Sequence, residues 1–231
     1  ADKPDFIKTY LANSEDFGKQ STNSKYKLRA GLNPTLLPII IAKAHKAGLK
    51  VAAHVETAFD FRIALNAGVD EVAHMPGFYL FDSAISKRYL LTDADAKLAK
   101  AKNVFVVTTL MTKTLVEDNS LLPMVVENQK KNLLLQKKYG VKLAIGSDHS
   151  DSPLEEINAI RELNVFTNLE LLKLWCENSA QYIFPKRKIG FLKPKYEASF
   201  LVLEGNPIED WENTQKIIVR FKQGNFLKTF K

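Results

Sequence analysis

Five short apolar segments alternate with helical segments along the chain, and this alternation limits the possible folds more than any other feature. The segments are Asp5–Tyr10, Val51–Ala53, Glu71–Ala73, Val104–Val107 and Lys142–Ile145. Gly48 and Gly68 stand where two of the intervening helical patterns stop, as glycine commonly does at a helix end. Short β-branched strands that are each followed by a helix are typical of βα units around a parallel sheet buried on both faces. The sequence therefore predicts an α/β fold with a parallel sheet.

The end of the chain has a different pattern. Two capping-box motifs, Ser152–Glu155 and Thr167–Glu170, predict two further helices after the fifth strand. Segments 199–203 and 216–219 then read as strands that are joined by a turn-rich stretch. We therefore predict two parts, an α/β part over residues 1–184 and a small C-terminal β segment over 185–231.

Composition excludes several classes of protein. The chain has 231 residues, of which 45% are hydrophobic and 26% charged, and this fits one large domain or two small ones. The single cysteine, Cys176, excludes a disulfide framework and a cysteine-rich zinc site. The net charge of +7 comes from scattered lysines without interleaved aromatic residues, and no apolar run approaches the roughly 20 residues of a membrane helix. We expect neither nucleic acid nor a membrane as a partner.

Four residues that can carry chemistry stand at or just after the predicted strand ends. They are Lys8, His54, His74 and Asp148. Each alone has a structural explanation: a hydrogen-bonded histidine, a turn or capping aspartate, a solvated lysine. Their joint placement favours a site, because parallel α/β barrels gather their active sites at the carboxyl ends of the strands. Two imidazoles and a carboxylate suit a divalent metal, with zinc as the first expectation, and Asp148 would act as the general base.

Lys8 has two possible roles. A lysine ammonium cannot bind a metal, but the carbamate that it forms with carbon dioxide presents two oxygens and can bridge two ions. Alternatively, Lys8 is a Schiff-base nucleophile in a barrel enzyme of the aldolase type. That alternative gives His54, His74 and Asp148 no shared purpose.

Short motifs around these residues resemble the amidohydrolase superfamily, on its imidazolonepropionase-like and prolidase-like side. The motifs are DFIK at 5–8, AHVET at 53–57, VAHMPG at 72–77 and IGSD at 145–148. The tail supports the resemblance with IGFLKP at 189–194, ASFLVL at 198–203 and GNPIED at 205–210. The motifs occur in the family's order and span nearly the whole chain.

The resemblance implies a partial TIM-type (β/α) barrel, strands four to eight, with a small C-terminal β appendage. It implies that Lys8 is the fourth-strand lysine, carboxylated in two-metal members, and that His54 and His74 are the metal-binding histidines of the next two strands. It implies that Asp148 is the eighth-strand aspartate, which binds metal and handles the proton. No first-strand His-x-His is present. We therefore expect a carboxyl-terminal portion that is inactive alone and that pairs with a missing N-terminal segment or with itself.

The expected function is hydrolysis of amide or cyclic amide bonds by a metal-activated water. The resemblance implies substrates such as dipeptides, N-acyl amino acids or ring amides. Tyr10, Arg62, Tyr79 and His149 are candidates for contact with the substrate. The alternatives are the aldolase-type enzyme and a non-catalytic remnant of the fold.

Overall fold

A five-stranded parallel sheet organises the first part of the chain. The computed structural model describes residues 4–20, 22, 30–77, 83–116, 118–148 and 152–227. The strands are β1 (Phe6–Tyr10), β2 (Lys50–His54), β3 (Glu71–Ala73), β4 (Phe105–Val107) and β5 (Lys142–Ala144), and they lie side by side in chain order. Every neighbouring pair is parallel, which confirms the predicted α/β sheet.

Helices follow the strands and connect one strand to the next. They are α1 (Phe17–Gln20), α2 (Leu37–Lys46), α3 (Ala58–Ala67), α4 (Asp93–Lys102), α5 (Leu122–Tyr139) and α6 (Pro153–Glu162). Short 3₁₀ helices cover Ser14–Asp16, Pro34–Leu36, Ser83–Tyr89, Leu110–Leu115 and Asn119–Leu121. Thr57 and Thr92 open α3 and α4 with capping boxes whose third residue is aspartate. Left-handed residues, Gly68, Asn103 and Gly140, end α3, α4 and α5.

The two faces of the sheet carry different kinds of residue. One face carries the small and β-branched residues, and these are buried: Val51, Ala53, Val72, Val106 and Leu143. The opposite face carries one row of residues in register across all five strands: Lys8, Ala52, Glu71, Phe105 and Lys142. Of this row only Ala52 is buried, whereas Ala73, Val107 and Ala144, in the next row of the same face, are all buried. Among the described strands, β1 and β5 each pair on one side only, so these strands form an open sheet.

The chain divides into two compact units, Ala1–Ala159 and Ile160–Lys231, and the division falls within α6. The segment 160–184 therefore groups with the C-terminal unit, whereas we predicted a boundary after residue 184. In the second unit, α7 (Asn168–Leu172), a π-helical turn (Lys173–Asn178) and α8 (Ser179–Ile183) follow one another without a break. The capping box that we predicted at Thr167 opens α7.

The C-terminal unit ends in an antiparallel sheet. Its strands are β6 (Phe200–Leu203), β7 (Ile217–Lys222) and β8 (Asn225–Leu227), and a 3₁₀ helix at Trp211–Gln215 lies between β6 and β7. The ring of Phe200 stacks on that of Phe221, with centroids 4.7 Å apart. The two strands predicted near the end of the sequence are present. Among the described helices, none combines the length and the apolar character that a membrane crossing requires.

Candidate active site

The carboxyl ends of the five strands lie in one row. Tyr10 is in register with His54, His54 with Ala73, Ala73 with Val107, and Val107 with Ala144. His74 follows this row directly, and Asp148 follows it after a short connection. Because the strands are parallel, residues that are distant in sequence arrive at the same edge of the sheet.

His54 lies between two aromatic rings at this edge. The ring of Tyr10 stacks on the imidazole of His54, with centroids 4.0 Å apart and an angle of 19° between the planes. The imidazole of His74 meets His54 edge-on, with centroids 4.5 Å apart. Two strands, β1 and β2, and the residue after a third therefore place three rings in contact.

Glu56 brings a buried carboxylate to the same edge. The Tyr10 hydroxyl donates to its Oε1 at 3.3 Å, and the side-chain amide of Asn13 donates to its Oε2 at 2.6 Å. Oε1 also lies 3.9 Å from Nε2 of His54. We did not predict Glu56 as a site residue from the sequence, because a glutamate two positions after a strand is usually solvated.

Asp60 holds the loops around this carboxylate. Its side chain accepts hydrogen bonds from the backbone N–H groups of Asn13, Ser14, Glu56 and Thr57. The signal that could have revealed it is the spacing from Thr57 to Asp60, a capping box with aspartate in place of glutamate. Asp60 is fully buried and ties the loop after β1 to the start of α3.

His74 is buried and makes contacts on both sides of its ring. Nδ1 lies 2.9 Å from the hydroxyl of Thr109, and Nε2 lies 4.0 Å from Oδ2 of Asp148. Desolvation, with smaller effects of His54 and Lys8, lowers the pKa of His74 to about 3. A histidine with this pKa is neutral at physiological pH, and a neutral imidazole is the form that binds metals.

Backbone strain is concentrated at the same edge. His74, Thr109 and Asp148 follow three successive strands, and each has a positive φ, of 74°, 52° and 53° respectively. L-amino acids other than glycine rarely adopt this conformation, and it is least favourable for a β-branched residue such as threonine. Strained residues of this kind cluster at functional sites, where the surrounding structure holds them.

Lys8 is exposed and is the middle residue of β1. Desolvation lowers the pKa of its ammonium group, against the opposing negative charges of Asp148 and Glu71. Its charge in turn acts on His74. One region of the molecule therefore holds all four residues that we predicted to lie together because of their places near strand ends: Lys8, His54, His74 and Asp148.

The residues that we predicted to contact the substrate lie in different places. Arg62 donates from Nε and Nη2 to the two oxygens of Asp95, at 2.8 Å and 3.0 Å, so its guanidinium braces α3 against α4. Tyr10 lies at the site edge, as described above. Tyr79 and His149 lie outside the described residues.

Comparison with known proteins decides the family. The sequence model of the amidohydrolase family matches residues 8–230. The chain belongs to the amidohydrolase family. The resemblance seen in the motifs is therefore confirmed, and no curated protein sequence matches the chain significantly.

Solved structures show that this amidohydrolase shares its fold with several hydrolases. A prolidase complexed with N-methylphosphonate-L-proline is 22% identical, covers 86% of this chain and 50% of its own, and has a TM-score of 0.66. A Xaa-Pro dipeptidase with bound methionine is 18% identical, with 97% and 55% covered and a TM-score of 0.70. Ochratoxinase of A. niger is 23% identical, with 86% and 46% covered and a TM-score of 0.70. The chain spans about half the length of these proteins.

The family generally uses a divalent metal, and the potential ligands in this amidohydrolase fit such an ion only in part. Metal–nitrogen and metal–oxygen bonds are about 2.0–2.2 Å long, so two ligands of one ion lie at most about 4 Å apart. His74 Nε2 and Asp148 Oδ2, at 4.0 Å, meet this limit. Within the described ranges, however, no group of three or more His, Cys, Asp or Glu side chains has an arrangement that could hold an ion. The residues present fit part of a centre.

Proposed function

We propose that this chain carries part of the active site of a metal-dependent hydrolase that cleaves amide or cyclic amide bonds. The observation that carries the proposal is the contact between neutral His74 and the carboxylate of Asp148, with His54 against the same imidazole. Membership of the amidohydrolase family supports it. The prolidases and the ochratoxinase among the structural neighbours are consistent with it.

His54, His74, Asp148 and Lys8 would hold the metal. Zinc is the first candidate, because two imidazoles and a carboxylate suit it and no thiolate is among them. When bound, such an ion lowers the pKa of water towards neutrality and polarises a carbonyl. Lys8 would contribute as its carbamate, which requires the neutral amine, and the lowered pKa of Lys8 favours that form.

Asp148 would act as the general base and then as the acid. Its side chain is 55% exposed, so water and substrate can reach the carboxylate. Asp148 would take a proton from the attacking water as the oxygen bonds to the amide carbon, and would pass it to the nitrogen as the C–N bond breaks. The products are a carboxylic acid and an amine.

Dipeptides, N-acyl amino acids and ring amides are the proposed substrates. Tyr10 is placed to contact them, because its ring is 40% exposed beside His54. Tyr79 and His149 remain predictions for the same role. Arg62 has less support, since Asp95 already accepts from its Nε and Nη2.

We further propose that the chain alone is inactive, because among the described strands β1 and β5 each pair on one side only, and the described residues supply only part of a metal centre. Edges of this kind prefer to pair with another strand. A preceding segment of the protein, or a second copy of the chain, would cover them.

The test is metal-dependent hydrolysis by the protein in the full form that its gene encodes. Hydrolysis of Xaa-Pro dipeptides and N-acyl amino acids is measured with zinc and after chelation, beside the 231-residue chain alone. We expect zinc-dependent hydrolysis by the full form and little by the chain. No hydrolysis of any member of the panel with zinc would contradict the proposal, and strong turnover by the chain as a monomer would contradict its dependence on further strands.

A Schiff-base function of Lys8 is the second candidate, and the lowered pKa of this lysine favours it as well. The two candidates differ in a covalent bond. Borohydride reduces an imine between lysine and a carbonyl substrate to a stable amine, which peptide mass analysis would place on Lys8. Trapping of a carbonyl compound on Lys8 without metal would favour the aldolase type.

A further inference from the structure

The hydroxyl of Thr109 lies against one of the two ring nitrogens of His74. Thr109 Oγ1 lies 2.9 Å from His74 Nδ1 and 2.8 Å from the carbonyl oxygen of Thr108. The carbonyl oxygen can only accept, and a hydroxyl that donates its single hydrogen to this carbonyl is left with only its oxygen to offer to Nδ1. The hydroxyl oxygen then accepts from Nδ1–H of His74. Nε2 keeps its lone pair, on the side where Asp148 lies at 4.0 Å.

Thr109 reaches this position in a strained conformation. Its φ of 52° and ψ of 44° are left-handed, and the β-carbon of a threonine is crowded there. The N–H of Thr109 donates to the carbonyl of Gly146 at 3.0 Å, and its own carbonyl accepts from the N–H of Thr112 at 3.3 Å. A strained residue persists only when other contacts hold the segment on both sides of it.

Glu156 supplies those contacts from α6. Its Oε1 accepts from the hydroxyl of Thr108 at 2.6 Å and from the N–H of Leu110 at 2.8 Å, and its Oε2 accepts from the N–H of Met111 at 2.9 Å. The carboxylate is fully buried. Its hydrogen bonds therefore hold the loop immediately before and after Thr109.

A second side chain holds the same loop from α5. The buried amide of Gln129 donates to the carbonyl of Leu110 at 3.2 Å. Gln129 contacts one side of the loop at one point, whereas Glu156 contacts three residues of it. The position of Thr109 depends chiefly on Glu156.

We propose that Glu156 is a positioning residue for His74: it holds loop 108–111 so that the Thr109 hydroxyl fixes the Nδ1–H tautomer of the imidazole. The inference rests on the proposed function only where it takes Nε2 of His74 as a metal ligand. The tautomer itself is a property of the chain without metal or substrate. A histidine that binds metal through one nitrogen commonly has its other nitrogen fixed by such a partner.

The test is the tautomer of His74, read by long-range proton–nitrogen correlation spectra of protein with nitrogen-15 histidine. The chain has four histidines, and the signals of His74 are assigned by their loss in His74→Asn. We expect the Nδ1–H pattern in the wild type. The Nε2–H pattern in the wild type would overturn the proposal at its first step.

Variants of Thr109 test the direct contact. Thr109→Val keeps the shape and removes the acceptor, so we expect His74 to change to the Nε2–H tautomer or to a mixture. Thr109→Ser keeps the hydroxyl without the β-branch, and should restore the wild-type pattern. An unchanged tautomer in Thr109→Val would overturn the role of this hydroxyl.

Variants of the glutamate test the positioning role. In Glu156→Gln an amide N–H₂ replaces one of the accepting oxygens and faces donors of the loop, to which it cannot hydrogen-bond. We therefore expect a mixture of His74 tautomers, with an unchanged far-ultraviolet circular dichroism spectrum. Glu155→Gln, next to it and exposed, should match the wild type. If Glu156→Gln fails to fold, Thr108→Val removes one of the three hydrogen bonds at nearly constant volume and should give the same change to a smaller extent. A folded Glu156→Gln or Thr108→Val with wild-type His74 signals would overturn the proposal.

Zinc affinity separates this inference from the proposed function. Loss of a fixing partner typically weakens metal affinity about 10–100-fold. We expect such a loss in Glu156→Gln and Thr109→Val, measured by competition with a chromogenic chelator, and none in Glu155→Gln. These affinities are measured on the full gene product. If the tautomer responds as expected but neither the wild type nor any variant of the full gene product binds zinc, the proposed function fails and the positioning role stands. If zinc binds and the tautomer is insensitive to Glu156, the positioning role fails.

Discussion

The Nε2 atom of His74 lies 4.0 Å from Oδ2 of Asp148, although the two residues follow different strands. The parallel pairing of β3, β4 and β5 makes this contact possible, because it aligns the three strand ends. Both residues have a positive φ, which turns the chain immediately after each strand. The pair is the centre of the predictions below.

Replacing Asp148 with asparagine should abolish most hydrolysis by the full gene product. The substitution removes a proton acceptor and a negative charge with little change of volume, and general-base catalysis contributes about 10²–10⁴-fold to a rate. The side chain is 55% exposed, so the fold should be retained. The measurement is kcat with a dipeptide substrate. Asp118→Asn, at an exposed helix cap, is the control, and full activity of Asp148→Asn would remove this residue from the mechanism.

His74 should make the metal-free chain less stable as the pH falls. Its pKa is about 3 in the folded protein and about 6.5 in an unfolded chain. Between these values the unfolded chain binds a proton at His74 that the folded chain does not, so the free energy of unfolding decreases by up to about 1.4 kcal/mol per pH unit. The contribution is complete above about pH 6.5.

Urea unfolding from pH 7 to pH 4 measures this dependence. We expect a shallower slope for His74→Asn, in which asparagine tolerates the left-handed backbone. Equal slopes for wild type and His74→Asn would show that His74 is not held neutral by burial.

A side chain at Gly146 should disturb the site. A β-carbon there would lie 2.5 Å from Cγ1 of Val107, which is part of a strand and cannot move freely. We expect Gly146→Ala to lower the free energy of unfolding by about 1–3 kcal/mol, as overpacking does. Gly18→Ala has nothing within 4 Å of the new carbon and lies in a helix, so it should be neutral or stabilising by up to about 1 kcal/mol. Chemical denaturation of both variants measures these changes. An unchanged free energy of unfolding in Gly146→Ala would show that the end of the strand moves to accommodate the new carbon.

Arg62 should affect stability and leave substrate binding unchanged. Asp95, its partner, is 1% exposed, and removal of the guanidinium leaves a buried carboxylate with fewer donors. We expect Arg62→Met to lower the free energy of unfolding by about 1–2 kcal/mol, with KM unchanged. Arg161→Met, on an exposed position of α6, should change neither quantity. A raised KM with normal stability would restore Arg62 as a substrate ligand.

Sequence patterns predicted the site residues that stand at strand ends. His54, His74 and Asp148 were singled out because a strand of alternating or apolar residues, followed by a polar one, is a local feature. Lys8, which we predicted to close the first strand, is instead the third of the five residues of β1. The parallel arrangement then follows from the helix that separates each pair of strands. For the same reason the order of the first five strands could be predicted.

Contacts between distant segments had no comparable signal. Glu156 accepts hydrogen bonds from a loop that is separated from it in sequence by more than one helix. Glu56, which follows β2, accepts a hydrogen bond from Asn13, which follows β1. A buried glutamate and a solvated one look alike in a single sequence, because burial is decided by what packs around the residue. The ion pair of Arg62 with Asp95, on the neighbouring helix, had no signal in the sequence either.

The sequence by itself determined the α/β alternation, the helix caps and the strand-end candidates, because each depends on residues that are close along the chain. Only the tertiary structure decided which residues on each face of the sheet are buried, and that Thr109 meets His74. It also decided that three residues after successive strands adopt left-handed conformations. These properties depend on pairing and packing between segments, which local preferences do not specify.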